Sequence, residues 1–187
     1  MFNELILQSE ATVFFTGAGI STNSGIPDFR GPKGIWKTTQ PIYFHDFVNS
    51  KEKRIESWER KFSNELNIHK AKPNLGHQKI AEIMSKRQSS HLITQNVDNL
   101  HQESGVSDSQ ITELHGNATY AKCLDCKLRY DLAELKASFL STKKPPQCSV
   151  CNGLIKTATI SFGQPMPEEE MLIAQKKSIS CDLFICI

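Results

Sequence analysis

Apolar positions along the 187-residue chain follow two rhythms. Short continuous runs bounded by turn residues read as buried strands. They cover Thr12–Thr16, His91–Thr94, Ile111–Leu114, Ile155–Phe162 and Asp182–Ile187. Between them the spacing is nearer 3.6. Phe2–Gln8 reads as a short helix, and Phe44–Leu66 carries a stripe of Phe47, Val48, Ile55, Trp58, Phe62 and Leu66, most simply core packing. Asn74 can cap a helix through about Lys86 with Leu75, Ile80, Ile83 and Met84 on one side. A turn through Leu100 and His101 ends near Gly105, and further helices are expected around Leu132–Phe139 and Glu168–Lys177. Strands alternating with helices predict an α/β fold, a mainly parallel sheet covered on both faces.

Composition narrows this picture. With 39% hydrophobic residues the length fits one globular domain with a small insert. The formal net charge is +2, from 22 basic and 20 acidic residues, so there is no electrostatic case for nucleic acid as the main partner. No apolar run reaches the length of a membrane span. The N-terminus lacks a basic region and a small-residue cleavage site, so a cytoplasmic location is expected.

Six cysteines are present, and four form the pattern Cys123-x-x-Cys126 and Cys148-x-x-Cys151. Two such pairs can offer four thiolates to one ion, completing a closed tetrahedral shell for structural zinc. The spacer Lys127–Gln147 leaves room for a strand and a short helix. Redox pairs, free buried thiols or iron are the alternatives. The module lacks the dense basic and aromatic surface of a nucleic-acid reader. Cys181 and Cys186 read as small core residues.

Three polar segments follow the first three strands: Gly17-Ala18-Gly19 through Arg30, Gln95-Asn96-Val97-Asp98, and Glu113-Leu114-His115-Gly116-Asn117. Parallel sheets collect ligands at the carboxyl ends of their strands. Taken singly, each segment is an ordinary turn, a helix cap or a structural histidine. The first is not a complete G-x-G-x-x-G fingerprint, because Thr22 stands at the third glycine and Gln40 lies where a ribose-binding acid is usual.

The motifs GAGIS…SGIPDFRG, TQNVDNLH, ELHGN, the paired C-x-x-C and FGQPMP occur in an order that resembles the sirtuins, NAD-dependent protein-lysine deacylases. The resemblance runs from about Val13 to Ile187. It implies a Rossmann-like NAD domain (residues 1–117 and 157–187), an inserted zinc-binding module (118–156) and acylated-lysine proteins as substrates. Gly17, Ala18, Gly19 and Ser21 would approach the pyrophosphate. Asp28, Phe29 and Arg30 would form a cofactor loop. Ile26, Asn96 and Asp98 would hold nicotinamide, and Gln95 its ribose. His115 would be the general base, imidazole having an ordinary pKa of about 6.5. The acyl oxygen would attack the ribose C1′ as nicotinamide leaves. The products would be free lysine, nicotinamide and O-acyl-ADP-ribose.

Phe162, Gly163 and Gln164 match a segment usually written Phe-Gly-Glu, against which the peptide would pair as an added strand. Lys156–Ser161 departs from the common Arg/Lys-Pro version of the preceding segment. A Tyr-x-x-Arg pair selecting acidic acyl groups is not found near Trp58–Lys61, which favours acetyl or another uncharged acyl. The adenosine-binding loops of the family do not follow the last strand. Impaired activity is therefore one expectation. The other readings are mono-ADP-ribosyl transfer and a non-catalytic, zinc-stabilised acyl-peptide-binding fragment.

Overall fold

In the computed structural model, which describes residues 2–31, 34–63 and 70–187, strand β1 (Thr12–Thr16) forms the centre of a parallel sheet. It pairs on one side with β2 (His91–Thr94) and on the other with β7 (Leu183–Cys186); β3 (Ile111–Glu113) lies beyond β2. The order is β3-β2-β1-β7. Every residue of β2 is buried, as a strand covered on both faces requires. Because the chain moves outward from β1 to β3 and then returns to the far side of β1, a crevice opens where these strands end, at the switch of strand order.

One face of the sheet is covered by α1 (Phe2–Gln8) and α4 (Leu75–Ser85), where Ile6, Ile80, Ala81 and Met84 meet Phe14, Leu92 and Ile185. On the other face Ala174 of α7 (Glu168–Ser180) packs near Val13 and Ile93. Asn74 caps α4 as expected, but Leu75 is 68% exposed, and the buried face is His77, Ile80, Ala81 and Met84. The first position of a helix precedes the turn that packs, so Leu75 points away from the stripe.

Three expectations change. The stripe from Phe44 divides into α2 (Phe44–Asn49) and α3 (Lys51–Phe62), because Ser50 is extended and its hydroxyl caps α3 by accepting from the Lys53 N–H; Leu66 lies outside the described residues. The strand expected at Ile155–Phe162 is β6 (Ile155–Thr159), and it joins a second, antiparallel sheet with β4 (Gly116–Cys123) and β5 (Arg129–Asp131), not the parallel one. Cys186 is exposed, and only Cys181 is partly buried, so the core assignment fails for Cys186: neighbouring side chains of β7 point to opposite faces, and Ile185 takes the covered one.

The small sheet has its own core. Ala121, Cys123, Cys148 and Ile155 pack with Leu135 and Phe139 of α6 (Leu132–Thr142) and with Trp58 of α3, flanked by Ile55 and Phe62. The long apolar stripe is core packing as expected, but its α3 part serves this second core.

Three buried histidines give the fold a pH dependence. His91 bonds Thr112 Oγ1 through Nε2 at 2.8 Å, and His101 bonds Thr16 Oγ1 at 2.9 Å. Burial pushes His91 to about 4 and His101 to about 3, and lowers His77. Each folded-state pKa lies below its unfolded value, so the unfolded chain binds the additional protons as pH falls from about 6.5, and stability is lost in that direction. Denaturant titrations at pH 7 and pH 5 should differ by about 4 kcal/mol from His91 and His101 together. Equal midpoints would contradict the buried neutral state.

Candidate active site and metal centre

The three polar segments meet at the carboxyl ends of β1, β2 and β3. Gly17-Ala18-Gly19 leaves β1 and enters a 3₁₀ turn, Ala18–Ser24, that ends at Gly25 with φ of 85°. The Gly17 N–H donates to the Ile187 carbonyl, placing this turn beside the end of β7. Asn96 Nδ2 donates to the Gly17 carbonyl (2.9 Å) and to Ser21 Oγ (3.3 Å). Ser21 Oγ in turn donates to Asp98 Oδ2 at 2.6 Å, while Asp98 Oδ1 accepts from the Leu100 N–H and starts α5 (Leu100–Glu103). Asn96 and Asp98 are 6% and 5% exposed. Ser21, expected to face an anion with its loop, is buried at 1% with its hydroxyl turned toward Asp98.

These side chains enclose a cavity of about 20 Å³ with Ala18, Ile26, Phe29, Ile35 and Val97. Sequence reasoning found Ala18, Ser21, Ile26, Phe29, Asn96 and Asp98 but missed Ile35 and Val97. Ile35 arrives because the loop folds back, its N–H donating to the Asp28 carbonyl and that of Trp36 to Phe29. Asp28 itself accepts from the Gly31 N–H, and Arg30 is exposed at the loop surface. Trp36, also missed, bridges Phe29 (5.4 Å between ring centroids) and Phe162 (5.5 Å). The contacts are aromatic and long-range, and nothing local in the sequence marks them.

His115 stands where the two sheets meet. Its Nδ1 lies 3.0 Å from the Gln95 carbonyl, which can only accept, so in the neutral ring the proton sits on Nδ1 and Nε2 is the bare nitrogen. Its own carbonyl accepts from the Ile160 N–H at 2.8 Å. Gly116 follows with φ of 71°, and a Cβ there would lie 2.0 Å from the Ala158 carbonyl oxygen, so only glycine lets β4 approach β6 this closely. On the flank, Glu113 accepts from Gln102 and Asn117, and Asn117 also donates to Asn99. Burial raises the Glu113 carboxyl.

Phe162, Gly163 and Gln164 form a turn beside the loop that carries Phe29 and Trp36. The Phe162 carbonyl accepts from the Phe44 N–H at 2.8 Å, and Gln164 Oε1 accepts from the Ser161 N–H at 3.1 Å. An amide oxygen thus does here what a carboxylate oxygen would. A groove of about 860 Å³ behind this turn is larger than the cavity, yet its walls include neither His115 nor the Asp28–Arg30 loop. Its floor carries Arg129, Lys122 and Lys156 opposite one another on β5, β4 and β6, and burial lowers Lys156 to about 8.

The four cysteines converge away from His115. Cys123 and Cys151 Sγ are 3.4 Å apart, Cys126 and Cys148 Sγ 3.5 Å, and all four sulfurs lie within 4.8 Å of one another. A tetrahedron with Zn–S of about 2.3 Å has edges of roughly 3.8 Å, so the donor set fits zinc with no position left for substrate.

Comparison with known proteins agrees with this geometry. The model of the Sir2 family matches residues 17–187. An NAD-dependent protein deacetylase of Rhodopseudomonas palustris is 46% identical over 184 residues, 98% of this chain and 73% of the relative. One from Bradyrhizobium diazoefficiens is 50% identical, covering 98% and 72%. A Sir2 structure with a p53 peptide and NAD+ superimposes with a TM-score of 0.80 at 34% identity, covering 99% of this chain and 73% of that one. Another, bound to a propionylated peptide, gives 0.81 at 33% identity, with 99% and 73% covered. The chain belongs to the Sir2 family and spans about three quarters of the length of these relatives.

Removing zinc should open the second core, because Cys123 and Cys148 belong to it with Trp58. Metal analysis should give one zinc per chain, and chelation should red-shift the emission of Trp58, which is 1% exposed. A metal-free protein with unchanged emission and melting temperature would rule the centre out.

Proposed function

We propose that the chain is an NAD-dependent protein-lysine deacylase in which His115 is the general base, acting through Nε2. The observation that carries this is the Nδ1–H bond to the Gln95 carbonyl, which fixes the tautomer a base requires. Its substrates are acylated-lysine proteins. NAD supplies a ribose C1′ activated by a departing nicotinamide.

The chain's own residues then have separate tasks. The backbone of Gly17, Ala18 and Gly19 approaches the pyrophosphate, with Ser21 holding Asp98 behind it. Arg30, exposed on its loop, is free to pair with phosphate. Ile26, Asn96 and Asp98 bind nicotinamide, the carboxylate accepting from the carboxamide N–H and the Asn96 amide completing the pairing. Phe29 covers that end and excludes water, and Asp28 keeps the loop folded through Gly31. The cavity has room for about one water. Admitting a pyridine ring therefore requires Phe29 or Ile35 to move. Gln95 holds the adjoining ribose, while its carbonyl orients His115. Nε2 takes the proton of the ribose hydroxyl that attacks the acyl carbon.

Phe162, Gly163 and Gln164 pair with the peptide backbone, Trp36 linking that wall to Phe29. An uncharged acyl group, acetyl first, is favoured, since Trp58 is packed inside the second core and Arg60 is engaged with Gln40 and Glu56. The division into residues 1–117 with 157–187 for NAD and 118–156 for zinc follows from the same reading. Among the described residues no helix is long and apolar enough to cross a membrane, and a four-thiol zinc centre suits a reducing compartment such as the cytoplasm.

Incubation of the chain with NAD and an acetyl-lysine peptide should release nicotinamide, deacetylated peptide and O-acetyl-ADP-ribose in equal amounts. His115→Ala should lower the rate by about 100-fold or more while leaving the melting temperature close to wild type. Undiminished turnover would remove His115 from the mechanism. Labelled protein in place of O-acetyl-ADP-ribose would support ADP-ribosyl transfer, and peptide binding without nicotinamide release the binding-module reading.

A further inference from the structure

Behind the nicotinamide cavity lies a buried histidine to which the chemistry above gives no task. His77 is fully buried at the third position of α4. Its Nδ1 accepts from the Asn74 N–H at 3.3 Å, completing the capping box of that helix. A ring nitrogen that accepts carries no proton in the neutral imidazole, so the proton is on Nε2. Nε2 faces Ser21 Oγ at 3.5 Å, a long hydrogen bond. Ser21 Oγ therefore has two N–H neighbours, Asn96 Nδ2 and His77 Nε2, and one carboxylate, Asp98. A hydroxyl has one proton and two lone pairs, and with both lone pairs taken by donors its proton must go to Asp98.

The same helix cap grips the glycine turn directly. Asn74 Nδ2 donates to the Ile20 carbonyl at 2.7 Å and to Ser24 Oγ at 2.9 Å, while its Oδ1 accepts from the Gly76 N–H. The start of α4 thus holds the Ala18–Ser24 turn at its middle and its end and, through Ser21, the carboxylate in the cavity. Burial lowers the pKa of His77 and Asp98 opposes that shift, an electrostatic contact of the kind the geometry describes.

We propose that His77 is a positioning residue for the cavity, acting through Ser21 to fix the proton of that hydroxyl on Asp98. With that proton fixed, Asp98 remains an acceptor and the Ser21 hydroxyl cannot turn to donate into the cavity. The site then favours a ligand that brings its own N–H donors, a carboxamide, over the corresponding carboxylate. This rests on the reading of Asn96 and Asp98 as the nicotinamide site.

The test separates the helix cap from the link to Ser21. His77→Gln retains an acceptor at the third helical position, where glutamine completes a capping box, but loses the imidazole N–H. His77→Leu loses both. In the full chain, long-range ¹H–¹⁵N spectra of wild type should show His77 as the Nε2–H tautomer; the Nδ1–H tautomer overturns the proposal. Ligand-observed NMR should then give a nicotinamide Kd weakened about tenfold in His77→Gln, the size of one hydrogen bond. The preference for nicotinamide over nicotinic acid should narrow by a similar factor. ADP-ribose affinity and melting temperature should stay near wild type. His77→Leu should lower the melting temperature as well.

Equal weakening of nicotinamide and ADP-ribose, or no change in either, would show that His77 only supports the helix and overturns the proposal. Wild-type protein that binds ADP-ribose but not nicotinamide would remove the pocket assignment, and the proposal with it. Failure of deacylation in a wild type that binds both ligands would count against the deacylase reading alone.

Discussion

Between Glu113 and Gly116 the chain leaves a parallel sheet and enters an antiparallel one, and the site depends on how closely the two backbones approach there. Gly116 lies against the Ala158 carbonyl with no room for a Cβ, and the His115 carbonyl accepts from Ile160. The histidine is thereby held by its backbone to one sheet and by its ring, through the Gln95 carbonyl, to the other. Fixing a side chain at two points on separate elements confines its orientation more than a loop could. It also ties the imidazole to the segment that runs on from β6 into the turn at Phe162.

Beneath the cavity the constraint is polar satisfaction. Ser21, His77, Asn96 and Asp98 are all nearly inaccessible to solvent, and each unmade bond there would cost about 1–3 kcal/mol. The arrangement meets this demand with contributions from three segments, Ser21 lying more than fifty residues from each of the others. Asn74 serves twice, capping a helix and clasping the turn that follows β1. A polar cluster of this kind specifies one geometry, since moving any member leaves another without its partner.

Much of this could be read from the residues before the fold was known. The run Val13-Phe14-Phe15 ending in Gly17-Ala18-Gly19, the Gln95–Asp98 segment and the Glu113–Asn117 segment announced strand ends with chemistry on them, and the cysteine spacing announced a metal. The departures have specific causes. A stripe at helical period predicts core packing but does not say which core it faces, and Trp58 of α3 packs in the second. A serine in mid-stripe gave no warning that it would be extended and cap a new helix. Ile155–Phe162 has strand character in either sheet, and only pairing with β4 decides between them. His77 carries no motif of its own in the sequence. Its partner Ser21 lies 56 residues away, outside the window in which periodicity can be judged. Ile35 and Trp36 reach the cavity by backbone bonds across a loop, which carry no compositional trace.

The second core joins Trp58 to Ile155, 97 residues further along the sequence. During synthesis α3 must therefore emerge with its apolar face bare and wait until the cysteine segment follows. At ordinary elongation rates of about 5–20 residues per second, that interval is on the order of 5–20 s. Contacts of such sequence separation also slow folding in free solution. For this chain the exposed interval comes early: a tryptophan-bearing helix leaves the ribosome before the segment that covers it.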